Sequence, residues 1–306
     1  MPPEVSTFSV EPVIRRVLSH PCLRASLCGL AAGLALCLPE TVCATDIATD
    51  IATELPPAPE SGDCSLADTT PATVMSIDVD AGGDVNLMMD DGRRASLAGL
   101  DFTSRAPTAQ LLLTRWLAGR LVFVRAAAVD RWGRAPAQIF AAATTGPSSP
   151  LIAVGGAVIE AGLARYRPDP AAVSCRALYL AAEEKARKAH AGLWGDADML
   201  PVDIAAPDAS IAVLQRRGLT LVEGVVRSVG DSRRAVYLNL GQRRGGDFTV
   251  VISRRFSYNQ PVSGFDPRKW IGRRVRVRGL IDTGWGPRIE IAGPEDVEII
   301  ESIGAP

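Results

Sequence analysis

The chain has 306 residues, with 33 Lys and Arg against 34 Asp and Glu, a net charge of −1 and an apolar fraction of 47%. That length exceeds the roughly 100 to 200 residues of one compact domain and leaves room for two domains plus extensions. The near-neutral average excludes a chain that is basic throughout, but it hides an asymmetry: Leu219 to Glu290 carries 14 Lys and Arg against 6 Asp and Glu.

The N-terminus reads as an export signal over residues 1–44. Arg15, Arg16 and Arg24 precede the apolar run Ala25 to Leu38, and Val42-Cys43-Ala44 supplies small residues for cleavage. A run of 14 residues is shorter than the roughly 20 that span a bilayer. The expected location is therefore periplasmic or extracellular; an uncleaved anchor or a misassigned start are the alternatives. Four of the six cysteines precede Ala44, which leaves Cys64 and Cys175. An even pair in an exported protein is expected to form a disulfide, against the alternative of two unpaired thiols. Residues 45–70, rich in Pro, Ala and Asp, read as a tether.

Period-two alternation predicts strands at Thr73 to Asp78, Asp84 to Met89 and Arg94 to Leu100, with Asp90-Asp91-Gly92 as a hairpin turn. Pro107 opens a helix through Leu111, Leu112, Trp116 and Leu117, and Gly119 ends it. Leu121 to Ala128 and Ala135 to Ala141 read as two further strands. Leu151 to Arg165 has helical spacing, as does Val173 to His190, whose Glu183 to Arg187 and Glu184 to Lys188 pairs read as a solvated helix face. Five strands with three helices predict an α+β domain over 71–200, built on a five-stranded OB-type barrel. After a linker at 201–215, residues 216–302 read as a second, all-β barrel of OB-like type, with a β-sandwich as the alternative. Its expected strands are Leu219 to Val229, Ala235 to Leu240, Phe248 to Ser253, Arg273 to Ile281 and Arg288 to Ile291.

Several motifs in the first domain stand in one order: Asp130-Arg131-Trp132-Gly133-Arg134, then Gly155 to Ala164 with its Gly162-Leu163-Ala164 ending, then Ala181 to Arg187 followed by Gly192-Leu193-Trp194. Together they resemble the thermonuclease, or staphylococcal-nuclease-like, family over roughly Ala72 to Gly195. The resemblance implies calcium-dependent cleavage of nucleic-acid phosphodiesters. Such hydrolysis uses a metal to hold the phosphate, cations to stabilise developing charge and a group to orient water.

The family's R-L-x-G-I-D-x-P-E run aligns on Ser96 to Ser104. It keeps the calcium-ligating acid at Asp101 but places Ser96 where the clamping arginine stands and Ser104 where the glutamate stands. Serine offers neither a permanent positive charge nor an anionic acceptor. The second metal-binding acid falls on Gly83 or, with a one-residue shift, on Asp84, while Arg134 matches the second phosphate-contacting arginine. Losing one such preorganised donor costs about 3 to 4 kcal/mol, or roughly a hundred- to a thousandfold in rate. Arg94 and Arg105 are candidate substitutes. With only His20 and His190 in the chain, histidine-based catalytic sites and multi-histidine metal clusters are not expected.

In the basic unit, Arg274, Arg276 and Arg278 alternate with Val275 and Val277, so the three guanidinium groups share one strand face. With aromatics such as Trp270 and Tyr258 nearby, this row reads either as a binding surface for nucleic acid or another polyanion or as a solvent-facing arginine face with the rings mostly in the core. Three readings follow: a degenerate nuclease fold that binds nucleic acid or polyanion, an active calcium-dependent nuclease, and an envelope scaffold that contacts proteins.

Overall fold

The computed structural model describes residues 64–129, 135–144, 146, 149–240, 248–253, 266–284, 286–291 and 296–300. The expected signal, the expected tether up to residue 63, residues 130–134 with Arg134, and Tyr258 lie outside them.

Strands β1 (Thr70–Val79), β2 (Val85–Met89) and β3 (Arg94–Leu97) form the expected meander. Alternation turns Val74, Ile77, Val85, Leu87, Met89, Ala95 and Leu97 into the core. After the short β4 (Leu100–Asp101), helix α1 (Ala106–Leu117) carries Pro107 in its first turn and buries Ala109, Leu113, Trp116 and Leu117. Then come β5 (Leu121–Ala126) and β6 (Ala135–Ala142). β5 pairs with β1 and β6, and β6 returns in parallel to β3. The five strands β1, β2, β3, β6 and β5 therefore close into a barrel, which removes the unpaired edges of an open sheet.

Beyond the barrel, one expectation is corrected. The helix expected from Leu151 is preceded by a strand, β7 (Leu151–Ala153), and α2 covers only Val154–Glu160. The cause lies in β6. Its pairing with β3 ends at Ala137, and the edge freed at Phe140 to Ala142 takes up Leu151 to Ala153.

β8 (Arg165–Tyr166) pairs with β4, and a 3-10 segment at Pro170–Cys175 runs into α3 (Arg176–Lys188). The glycines of the two family-like motifs meet here. Gly162 and Gly192 have φ of 68° and 51°, and a Cβ on Gly162 would lie 2.1 Å from the carbonyl oxygen of Ala191. Only glycine fits such a crossing, which the Leu193 N–H closes by donating to the Gly162 carbonyl at 2.8 Å. Cys64 and Cys175 form a disulfide that ties the approach to β1 to the start of α3. Closing a loop of this length stabilises by about 4 to 5 kcal/mol in the chain-entropy treatment.

The 201–215 stretch contains more than a linker: β9 (Val202–Asp203) and α4 (Ala209–Gln215) lie within it. There follow β10 (Thr220–Val225), β11 (Ser228–Asp231), β12 (Ala235–Asn239), β13 (Thr249–Ser253) and a 3-10 turn at Pro267–Trp270. β14 (Arg274–Gly279), β15 (Ile281–Asp282), β16 (Arg288–Ile291) and β17 (Val297–Ile300) complete the chain order. These strands form two sheets, β17-β14-β10-β9 and β11-β12-β13-β16-β15, around one core that includes Val222, Leu238, Phe248, Val250, Val277 and Ile289.

The expected long strands at 219–229 and 273–281 are each bent, as β10 with β11 and as β14 with β15, and pass from one sheet to the other. With each bent pair taken as one strand, the pairings run in a ring through β12, β13 and β16, with β13 and β16 parallel. The first barrel has the same order, with its third and fifth strands parallel. β17 is an addition that the sequence pattern did not suggest. Among the described residues no helix is long and apolar enough to cross a membrane.

Candidate functional site

Antiparallel pairing sets Asp101 of β4 opposite Arg165 of β8. Arg165 Nη2 and Nε donate to Asp101 Oδ2 at 2.7 and 3.2 Å, and Thr103 Oγ1 donates to the same oxygen at 3.0 Å. Arg165 is only 3% exposed. Two residues on, the Arg167 N–H donates to the Gly99 carbonyl at 2.8 Å and so continues the ladder. Arg167 Nη2 then lies 3.2 Å from Asp84 Oδ1. Each carboxylate expected to hold a metal is thus engaged by an arginine.

The remaining positions of the expected site carry no compensating charge among the described residues. Ser96 is half-buried between Asn86 on β2 and Pro136 on β6, and Ser104 is exposed in the 3-10 turn at Thr103–Arg105. Arg94, the candidate substitute for the first arginine, bonds Asp78 at 2.9 Å, and Arg105 reaches the Gly192 carbonyl at 3.5 Å. Among the described residues no group of three or more His, Cys, Asp and Glu side chains is placed to hold a metal ion.

Arg165 and Arg167 were missed in the sequence, as was Tyr166 between them. The available signal was the Arg-x-Arg alternation directly after Gly162-Leu163-Ala164, which puts two cations on one side of a strand. Tyr166 links this strand to the C-terminal barrel. Its N–H donates to Glu183 Oε2 at 2.7 Å, and its carbonyl accepts from Arg278 Nη1 at 2.9 Å. Arg278 Nη1 also lies 2.9 Å from Glu183 Oε2, its other nitrogen bonds Glu298, and its guanidinium stands 5.1 Å from the Tyr166 ring centroid.

Both the Arg278 and Glu183 side chains are 1% exposed. Burial works against the charge of Arg278, but Glu183 and Glu298 outweigh it and raise its pKa. Burial pushes Glu298 up, yet the Arg278, Arg276 and Arg187 charges bring it below the ordinary carboxylate value. The Tyr166 phenol is pushed up to about 12, mainly by burial.

The arginine row of β14 is likewise corrected. Val275 and Val277 do pack inward, and Arg274, Arg276 and Arg278 do share the other face, but that face is covered. Arg274 pairs with Asp203 at 2.9 Å and Glu223 at 3.0 Å; Arg276 pairs with Glu223 at 2.7 Å, Glu298 at 3.4 Å and Glu184 at 3.7 Å. The expected solvent-facing stripe is an internal ion-pair ladder, because carboxylates from β9, β10, α3 and β17 converge on it. For the same reason the Glu183 end of the α3 charge run is buried, although Glu183 and Glu184 keep their expected helix partners Arg187 and Lys188. Trp270 is half-buried against the second core.

No curated protein matches the chain. Residues 99–196, which take in Asp101, Ser104 and the Arg165 to Arg167 strand, match the family model for staphylococcal nuclease homologues. Over those residues the chain is similar to staphylococcal nuclease homologues; the match takes in β5 and β6 of the closed five-stranded barrel, whose strands β1 to β3 precede it.

Proposed function

We propose that this is an exported protein whose nuclease-like barrel has lost calcium-dependent hydrolysis and which binds nucleic acid or another polyanion. One observation carries the reading: Arg165 holds the Asp101 carboxylate at 2.7 Å. A cation that must bind Asp101 meets a fixed guanidinium there, and one that must bind Asp84 meets Arg167. Like charges at such distances repel strongly in a partly buried site, so this donor set does not fit calcium. Ser96 and Ser104 remove the charge-stabilising and water-orienting groups as well.

Binding is supported by the nuclease-like domain itself and by the surplus of cations in the C-terminal unit. Export rests on the N-terminal pattern and accords with the Cys64–Cys175 disulfide. The test is a cleavage assay on single-stranded DNA and RNA, with calcium and with chelator. Equal, background rates are expected; calcium-dependent cleavage would restore the active-nuclease reading.

A further inference from the structure

Beside the paired row on β14, the same unit carries a second group of cations without ion-pair partners among the described residues. Arg227, Arg233, Arg234, Arg268, Lys269 and Arg273 are all exposed. Among the described residues none of them enters an ion pair. The fold gathers them around β11. Arg227 precedes that strand, and its neighbour Val226 exchanges backbone hydrogen bonds with the 272–273 segment: the Val226 N–H donates to the Arg273 carbonyl at 3.0 Å, and the Gly272 N–H donates to the Val226 carbonyl at 2.8 Å.

Arg233 and Arg234 sit at the tip of the β11–β12 hairpin. Ser232 Oγ accepts from the N–H groups of Arg234 and Ala235 at 3.2 and 3.1 Å and so fixes the turn that carries them. Arg268 and Lys269 belong to the 3-10 turn at Pro267–Trp270, which packs against β11. β11 (Ser228–Asp231) separates Arg227 from the hairpin tip by about 10 to 13 Å, enough to follow two or more nucleotides.

Two half-buried rings belong to the elements beside these cations: Trp270, in that turn and packed partly against the core, and Tyr237 of β12, paired with Gly230 of β11. Among the described residues the acids of these segments are Asp231 and Asp266; Asp266 accepts from the Arg268 N–H at 3.1 Å.

Taking the binding reading above as its premise, we infer that this rim, and not the β14 row, is the phosphate-binding surface, and that its ligand is single-stranded nucleic acid. Unpaired cations attract phosphates by releasing counterions. Partly exposed rings beside them give unstacked bases a platform that a duplex does not require.

The experiment is fluorescence anisotropy of the purified full chain with a labelled 20-nucleotide oligo-dT, across a potassium chloride series, with polyglutamate as a competing arm. Three variants are compared: R268A/K269A/R273A, R233A/R234A, and the charge control Arg288→Ala, whose arginine is held by Asp282. The triple variant is expected to weaken binding roughly tenfold or more and to reduce the salt slope by about 2, at about 0.7 per lost contact. The double variant is expected to reduce the slope by about 1.4, and Arg288→Ala to change it little. Unchanged unfolding midpoints confirm that the variants are folded.

Wild-type binding that rim variants leave intact would overturn the rim while keeping the binding reading. Rim-dependent binding of polyglutamate but not of oligo-dT would overturn the nucleic-acid assignment alone. Binding of neither polymer would overturn both.

Discussion

Arg273, just before β14, and Arg278, near the end of that strand, lie five residues apart and meet opposite surroundings. Arg278 is 2% exposed and bonded to Glu183, Glu298 and the Tyr166 carbonyl; Arg273 is exposed and meets no carboxylate among the described residues. A count of basic residues does not separate them. Acids contributed by α3 and β17 do, since they bury the Arg278 guanidinium in a joint between the two barrels, whereas Arg273, just ahead of the paired row, stays exposed.

This contrast can be broken most directly at Arg278. Arg278→Ala leaves the buried Glu183 without its nearest cation, and removing one member of such a pair costs about 3 to 5 kcal/mol. Chemical denaturation checks this, and the double variant R278M/E183L is expected to recover much of the loss, since a well-packed apolar pair can replace a buried ion pair. Arg278→Lys keeps the charge but not the fork that reaches Glu183, Glu298 and Tyr166 together. A smaller loss of about 1.5 to 3 kcal/mol is expected.

Acid sensitivity sharpens the same point. Glu298 has a folded-state pKa below its ordinary value of 4.5, held down against burial by Arg278 and its neighbours. A depressed carboxylate contributes stability that is present above its unfolded pKa and lost as pH falls through the folded one. The unfolding midpoint is therefore expected to drop as pH is lowered below about 4.5, and Glu298→Gln to flatten that dependence. The smallest effect belongs to the rim. Each exposed, unpaired arginine replaced by alanine is expected to change stability by no more than about 0.5 kcal/mol, although binding responds strongly. A large stability loss at the rim, or a small one at Arg278, would erase the distinction between the two groups.

Much of the fold was legible because local signals agreed with tertiary demands. The meander, the Asp90-Asp91-Gly92 turn and the Pro107 helix start each depend on residues close in sequence, and each stands where expected. The 151–153 strand was hidden because its cause is a distant edge, the part of β6 that β3 leaves unpaired. The ladder was hidden for a similar reason. Alternation gave the correct face for Arg274, Arg276 and Arg278, but nothing within β14 announces the acids that cover it.

At the candidate site, the serines at 96 and 104 could be read from motif alignment. The arginines that engage Asp101 and Asp84 could not, because they arrive from β8, more than sixty residues after Asp101. Their position depends in turn on Tyr166, whose backbone is held by Glu183 and by Arg278 of the second barrel. The arginine joint therefore supports the strand that closes off the carboxylates.

Arg165 engages Asp101, and we propose that Asp101 does not serve a catalytic metal. That proposal is tested most directly by incubating the purified chain with single-stranded DNA in calcium and, in parallel, in chelator. The expected result is the same background rate in both. Cleavage that requires calcium and is lost in both Asp101→Asn and Arg134→Ala would contradict it.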